Sequence, residues 1–127
     1  MHFYSFNIGD YMSHTVHLSL MEDLAYRRCL DIYYLHEKPL PEDATEVARL
    51  IRMPEQKPEV VQVLEEFFTH EVGTGYVHKR TNEEITRYQA KIQAASRAGK
   101  ASALARSNAS STKVQLNKKQ ETLNKKQ

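Results

Sequence analysis

The sequence predicts a mainly α domain with a small β-hairpin, ordered like a winged helix-turn-helix and followed by a basic helix and a disordered tail. Three observations carry this reading. Polar capping residues precede three apolar-periodic runs. A glycine-rich turn separates two β-capable runs within 69–80. Finally, the charge is divided along the chain. Residues 1–86 hold 15 Asp/Glu against 8 Lys/Arg, whereas 87–127 hold 10 Lys/Arg against a single acid, Glu121. The formal net charge of +2 over 127 residues conceals that division.

Each element follows from local chemistry. Residues 2–8 are aromatic and alternate loosely, which predicts a short strand or extended arm. Gly9-Asp10 ends it, and a loop runs to His17. Ser19 with Glu22 forms a capping box, so a helix is predicted over 20–36. Leu20, Leu24, Cys29, Leu30, Ile32, Tyr33 and Leu35 supply its buried face, and Asp23, Arg27 and Asp31 form an exposed seam. Pro39-Leu40-Pro41 stops it. Asp43 with Glu46 opens a second helix over 44–52, which Pro54 ends. A third covers 55–67 with Val60, Val61, Val63, Leu64, Phe67 and Phe68 as its apolar set, and Pro58 is tolerated near its first turn. Residues 69–72 and 76–80 flank Gly73-Thr74-Gly75 as a hairpin. Thr81 with Glu84 then opens a fourth helix from Asn82 to about Ala95, with Ile85, Tyr88 and Ile92 on one side.

The domain organisation follows. Residues 1–86 are the winged-helix-like core, 87–100 a basic helix extending from it, and 101–127 a low-complexity basic tail expected to be disordered. Leu116-Asn117-Lys118-Lys119-Gln120 recurs as Leu123-Asn124-Lys125-Lys126-Gln127. With one apolar residue per seven, the repeat reads as low-complexity expansion rather than a coiled coil.

In this order the helices at 44–52 and 55–67 form the helix-turn-helix pair and 69–80 the wing, with an early strand pairing on it. A recognition helix usually offers Arg, Lys, Asn or Gln to the major groove. The helix over 55–67 is instead acidic, so Glu55, Glu59, Gln62 and Glu66 are candidates for protein contact. Positive charge sits at His78, Lys79 and Arg80 on the proposed wing, then at Arg87, Lys91, Arg97, Lys100 and Arg106. These are the candidate DNA contacts, and ionic contacts from them give affinity rather than sequence choice.

Several classes of chemistry lack a signature. No phosphate loop, nucleophile elbow or zinc spacing occurs. His14 and His17 lack a third ligand at a usual spacing, and His70 and His78 facing each other across the hairpin read better as strand histidines. Cys29 sits on an apolar helical face without a partner base. Capping and solvation explain the paired acids Glu22-Asp23, Glu65-Glu66 and Glu83-Glu84. The expectation is a protein without catalytic residues, metal or cofactor. One cysteine and an N-terminus without the basic-then-apolar order of a signal peptide predict a cytoplasmic protein, and no apolar run is long enough for a membrane span.

A resemblance adds to this. Gly9-Asp10-Tyr11, Thr15, His17-Leu18-Ser19-Leu20, Glu22-Asp23, Ala25-Tyr26-Arg27-Arg28, Leu30-Asp31 and Tyr33-Tyr34 carry its first half. Pro39-Leu40-Pro41-Glu42-Asp43, Ala48-Arg49, Phe67-Phe68 and His78-Lys79-Arg80 carry the second. In this order they resemble the YdaU-type domain of phage and prophage proteins, a family of unknown function, and Ser96-Arg97-Ala98-Gly99-Lys100 is similar to that family's Gly/Ala/Arg/Lys ending. Such proteins are encoded in phage replication modules, often beside helicase-loader genes. The resemblance therefore implies a role in initiating phage DNA replication, through DNA or through a helicase or its loader. It implies no catalytic residue, and the positions before the 20–36 helix are also explained by a loop tied to that helix start. A transcriptional regulator shares the expected fold and differs in its target.

Overall fold

The computed structural model describes residues 1–124, with side chains through Asn108. Its helices are α1 (Ile8–Thr15), α2 (Leu20–His36), α3 (Ala44–Leu50), α4 (Lys57–Phe67) and α5 (Lys79–Asn124), with a 3-10 turn at Pro54–Gln56. Strands β1 (Thr69–Glu71) and β2 (Gly75–Val77) form an antiparallel hairpin in which Thr69 faces Val77, His70 faces Tyr76 and Glu71 faces Gly75. The chain divides into two compact units, Met1–Thr86 and Arg87–Gln127.

α2 is the central helix of the first unit and packs on α4, which also packs on α3. Its start is the expected capping box: Ser19 Oγ accepts from the Glu22 N–H at 3.2 Å, and Glu22 Oε1 accepts from the Ser19 N–H at 2.9 Å. Ser19→Ala removes one half of this exchange. We expect a loss of about 1 kcal/mol, read as a lower denaturation midpoint with unchanged slope. The buried stripe is Ala25, Tyr26, Cys29, Leu30, Tyr33 and Tyr34, at helical spacing, whereas Leu20 and Leu35 of the expected face are exposed. Val47, Val60, Val63 and Leu64 close against that stripe with no exposed surface. Burial of this kind contributes about 1.5–3 kcal/mol per large aliphatic side chain.

Three differences from the sequence reading have physical causes. First, residues 1–7 form no strand, and the supposed loop is helix α1. Asn7 caps it by accepting from the Asp10 N–H at 3.1 Å. The N-terminal segment is held by side chains instead: Tyr4 stacks on Tyr34 with centroids 3.9 Å apart, and its hydroxyl donates to Asp31 at 2.7 Å. The charged seam of α2 is thus the surface on which this segment lies.

Second, the hairpin pairs with Leu40 rather than with the N-terminus. Leu40 N–H donates to Tyr76 O at 3.0 Å, and Tyr76 N–H donates to Leu40 O at 2.9 Å. Third, α5 starts at Lys79, so Lys79 and Arg80 are helical rather than part of the hairpin. α5 also continues through Asn124, past residue 100 where the sequence predicts that ordered helix ends. No proline follows Pro58, and a single interior glycine, Gly99, costs a helix only about 1 kcal/mol. Residues 125–127 of the second Leu-Asn-Lys-Lys-Gln copy lie outside the described residues.

Candidate nucleic-acid interface and aromatic cleft

The junction between β2 and α5 is built around His78. The Thr81 N–H donates to His78 Nδ1 at 3.2 Å, so the imidazole caps the helix that Thr81 is expected to cap. With Nδ1 accepting, Nε2 carries the proton and donates to the Tyr26 hydroxyl at 2.9 Å. Burial, reinforced by the neighbouring Arg80 guanidinium and only partly offset by Glu84, lowers the His78 pKa from 6.5 to about 4. The ring is therefore neutral at pH 7. This corrects the expectation that His78 adds cationic charge to a wing.

Arg80 is also committed. Its guanidinium lies 3.1 Å from Asp10 Oδ2 and 3.4 Å from Glu84 Oε1. Tyr34 donates its hydroxyl to the other Glu84 oxygen, and Tyr11 donates to the Asp23 carboxylate. Around these groups lies a cleft of about 250 Å³, whose aromatic walls include Tyr4, Phe6, Tyr11, Tyr26, Tyr34 and Phe67. Tyr26 stacks on Phe67 at 4.1 Å. Burial pushes the Tyr26 hydroxyl up to about 12, and burial with the Glu84 hydrogen bond does the same for Tyr34. The sequence reading missed this cleft. Its signal was present, because Tyr11, Tyr26, Tyr34, Phe67 and His78 all belong to the motifs of the family resemblance.

The other candidate residues fall in two places. Glu55 lies in the 3-10 turn, and Glu59, Gln62 and Glu66 follow on one face of α4 at helical spacing. Glu55, Gln62 and Glu66 are exposed and Glu59 is half-buried, and Glu66 is paired with His17. Lys79 is exposed in the first turn of α5. Within Arg87–Gln127, Arg87, Lys91, Arg97, Lys100 and Arg106 are all exposed, as is every side chain from Gln89 to Asn108. No carboxylate occurs between Glu84 and Glu121 to neutralise them.

The metal and thiol candidates resolve simply. His70 faces Tyr76 rather than His78, with ring centroids 5.0 Å apart. Cys29 is fully buried, and burial pushes its thiol up to about 12. Among the described residues, no three His, Cys, Asp or Glu side chains are grouped to hold a metal ion, and no helix is long and apolar enough to cross a membrane.

Comparison with known proteins adds a family without a function. A family model described as "protein of unknown function (DUF1376)" matches residues 2–86, nearly the whole of the first compact unit. The uncharacterized protein YdaU of Escherichia coli (strain K12) is 34% identical over 109 residues, covering 85% of this chain. The chain spans 37% of the length of that relative. No solved structure matches.

Proposed function

We propose that this chain, which belongs to the DUF1376 family of YdaU-like proteins, is a non-enzymatic DNA-binding protein of a phage or prophage replication system. The observation that carries the reading is the unneutralised basic stretch of α5, where five cations are exposed and no acid accompanies them. A helix that is polar all round usually owes its stability to many acid–base pairs or to a partner. Past Glu84 this one has no acid for such pairs until Glu121, and a polyanion supplies the missing counter-charge. The polar groups of the aromatic cleft are largely engaged with one another, which favours a structural role for it over catalysis.

The winged-helix reading has its own support. Leu40 lies between α2 and α3 and bridges to β2, the place where a winged helix carries its first strand. The acidic face of α4 disfavours groove reading by that helix. The basic part of α5 therefore takes the leading role, with contact through phosphates. This also revises the candidate set, since His78 is neutral and Arg80 is held by two carboxylates.

The test is a salt series with the full chain. Binding to a random duplex should weaken steeply with salt. The double variant Arg87→Gln, Lys91→Gln should lower the log–log slope by about 1.8, or ~0.9 per lost phosphate contact. An unbound full chain at low salt would refute the reading. Equal affinity for phage-origin and random duplexes would leave DNA binding in place and remove origin choice.

A second reading, an adaptor for a helicase or its loader, is favoured by one observation. Ile8, Met12, Val16 and Leu20 are spaced four apart and all well exposed. Ile8 and Met12 lie one turn apart on α1, Val16 caps its end and Leu20 opens α2, and such exposed apolar side chains, like the α4 carboxylates, are what a protein partner would use. Charge reversal at Glu55 and Glu59 that abolishes co-purification with the neighbouring helicase or loader, and leaves DNA affinity unchanged, would favour it.

A further inference from the structure

We propose that the ligand of α5 is B-form double-stranded DNA, held with the helix lying in the major groove and its cations reaching phosphates on both walls. The inference rests on the DNA-binding reading above and sharpens it from nucleic acid in general to one form.

The placement of the cations carries it. At 3.6 residues per turn, Arg87, Lys91 and Arg106 fall on one flank of the helix and Arg97 and Lys100 on the opposite flank. A helix resting on one strand of phosphates uses cations on a single face, and the opposite flank then points into solvent. A helix within a groove has a phosphate wall on each side, and both flanks are used. Fit agrees with this. An α-helix is about 10–12 Å across with its side chains, and the B-DNA major groove is about 12 Å wide. Between the two flanks most side chains are short: Ser96, Gly99 and Ala103 on one side, beside the longer Ile92, and Ala94 and Ala101 on the other. Gly99 has no neighbour within 4 Å of where a Cβ would stand.

Two alternatives fit less well. Single-stranded binders combine a basic groove with aromatic side chains on which bases stack. No aromatic residue follows Tyr88 in this chain, so α5 offers charge without a stacking platform. Duplex RNA has a deep, narrow major groove that side chains do not read, and a helix does not enter it.

The experiment compares the full chain on a random DNA duplex, one of its strands alone, and a duplex RNA of the same sequence, at equal low salt. Duplex DNA is expected to bind about tenfold or more tightly than either, with a slope near −0.9 per phosphate contact rather than the −0.7 of single strands. Guanine N7, which lies in the major groove, is expected to be protected from dimethyl sulfate. The pair Arg97→Gln, Lys100→Gln is expected to weaken duplex binding by a factor similar to that of Arg87→Gln, Lys91→Gln. Equal binding to the single strand or to duplex RNA, unprotected N7, or silence of one cation pair would each overturn the groove placement and leave DNA binding standing. No binding to any of the three would instead overturn the DNA reading itself.

Discussion

Gly75→Ala is expected to destabilise the fold by about 3–5 kcal/mol, whereas Gly73→Ala, two residues away in the same turn, is expected to cost only about 1–2 kcal/mol. The contrast is geometric. Both glycines have positive φ, +81° at Gly73 and +124° at Gly75, so any side chain there is strained. A Cβ on Gly73 meets nothing within 4 Å, and strain is the whole penalty. A Cβ on Gly75 would stand 1.9 Å from the Leu40 carbonyl oxygen, which is backbone and has no rotamer with which to move aside. That oxygen accepts the Tyr76 N–H, and Leu40 N–H returns a bond to Tyr76 O. Displacing it breaks both bonds and lifts Leu40, which is 1% exposed, out of the core. Leaving buried backbone groups unpaired costs about 1–3 kcal/mol each. Urea unfolding followed by circular dichroism measures the two variants side by side. A Gly75→Ala loss no larger than that of Gly73→Ala would mean that Leu40 does not pair with the hairpin, and the support for a winged-helix topology would go with it.

The Leu40 bridge shows where sequence reasoning ends. Pro39-Leu40-Pro41 announces a helix stop, and the chemistry of proline says nothing of a partner strand beyond it. Leu40 pairs with β2 because α2 and α3 bring that loop beside the hairpin. What local chemistry dictates was legible: the Ser19–Glu22 cap, the Asp43 cap, the proline breaks and the glycine turn. The aromatic start was not. The order of residues 2–8 alternates like a strand, but Tyr4 is placed by stacking on Tyr34 and bonding to Asp31, partners that no local pattern names. The cue that did exist was Asn7 ahead of Asp10, a helix start that the neighbouring Gly9 obscured.

The same division applies to the site. Charge segregation is additive along the chain, so the basic stretch from Arg87 to Arg106 could be read without coordinates. The state of each basic residue is not additive. His78 and Arg80 look like equals of Lys79 in sequence. Yet His78 is neutralised by burial, and Arg80 is claimed by Asp10 from the far end of the unit.

That neutral His78 gives the second large effect, an acid limb in the stability curve between pH 6.5 and about pH 4. In the unfolded chain the imidazole titrates near 6.5, and in the folded chain near 4. Between these values the unfolded state binds a proton that the folded state refuses. Stability is therefore complete above pH 6.5 and is lost progressively as pH falls, until the folded ring titrates as well near pH 4. The gap corresponds to roughly 3 kcal/mol, fully lost below about pH 4. Geometry gives the reason independently of the titration. A proton on Nδ1 would oppose the Thr81 N–H that it now accepts, and would place a charge beside Arg80. His78→Asn separates this from general acid sensitivity, because its side-chain oxygen still offers a cap acceptor and does not titrate. The variant is expected to be less stable at pH 7.5, having lost the Tyr26 partner, but nearly flat from pH 6.5 to 4.5, where the parent falls by more than 1 kcal/mol. Parallel curves for the two proteins across that window would show that His78 is not the titrating group and that its ring is not held neutral at the head of α5.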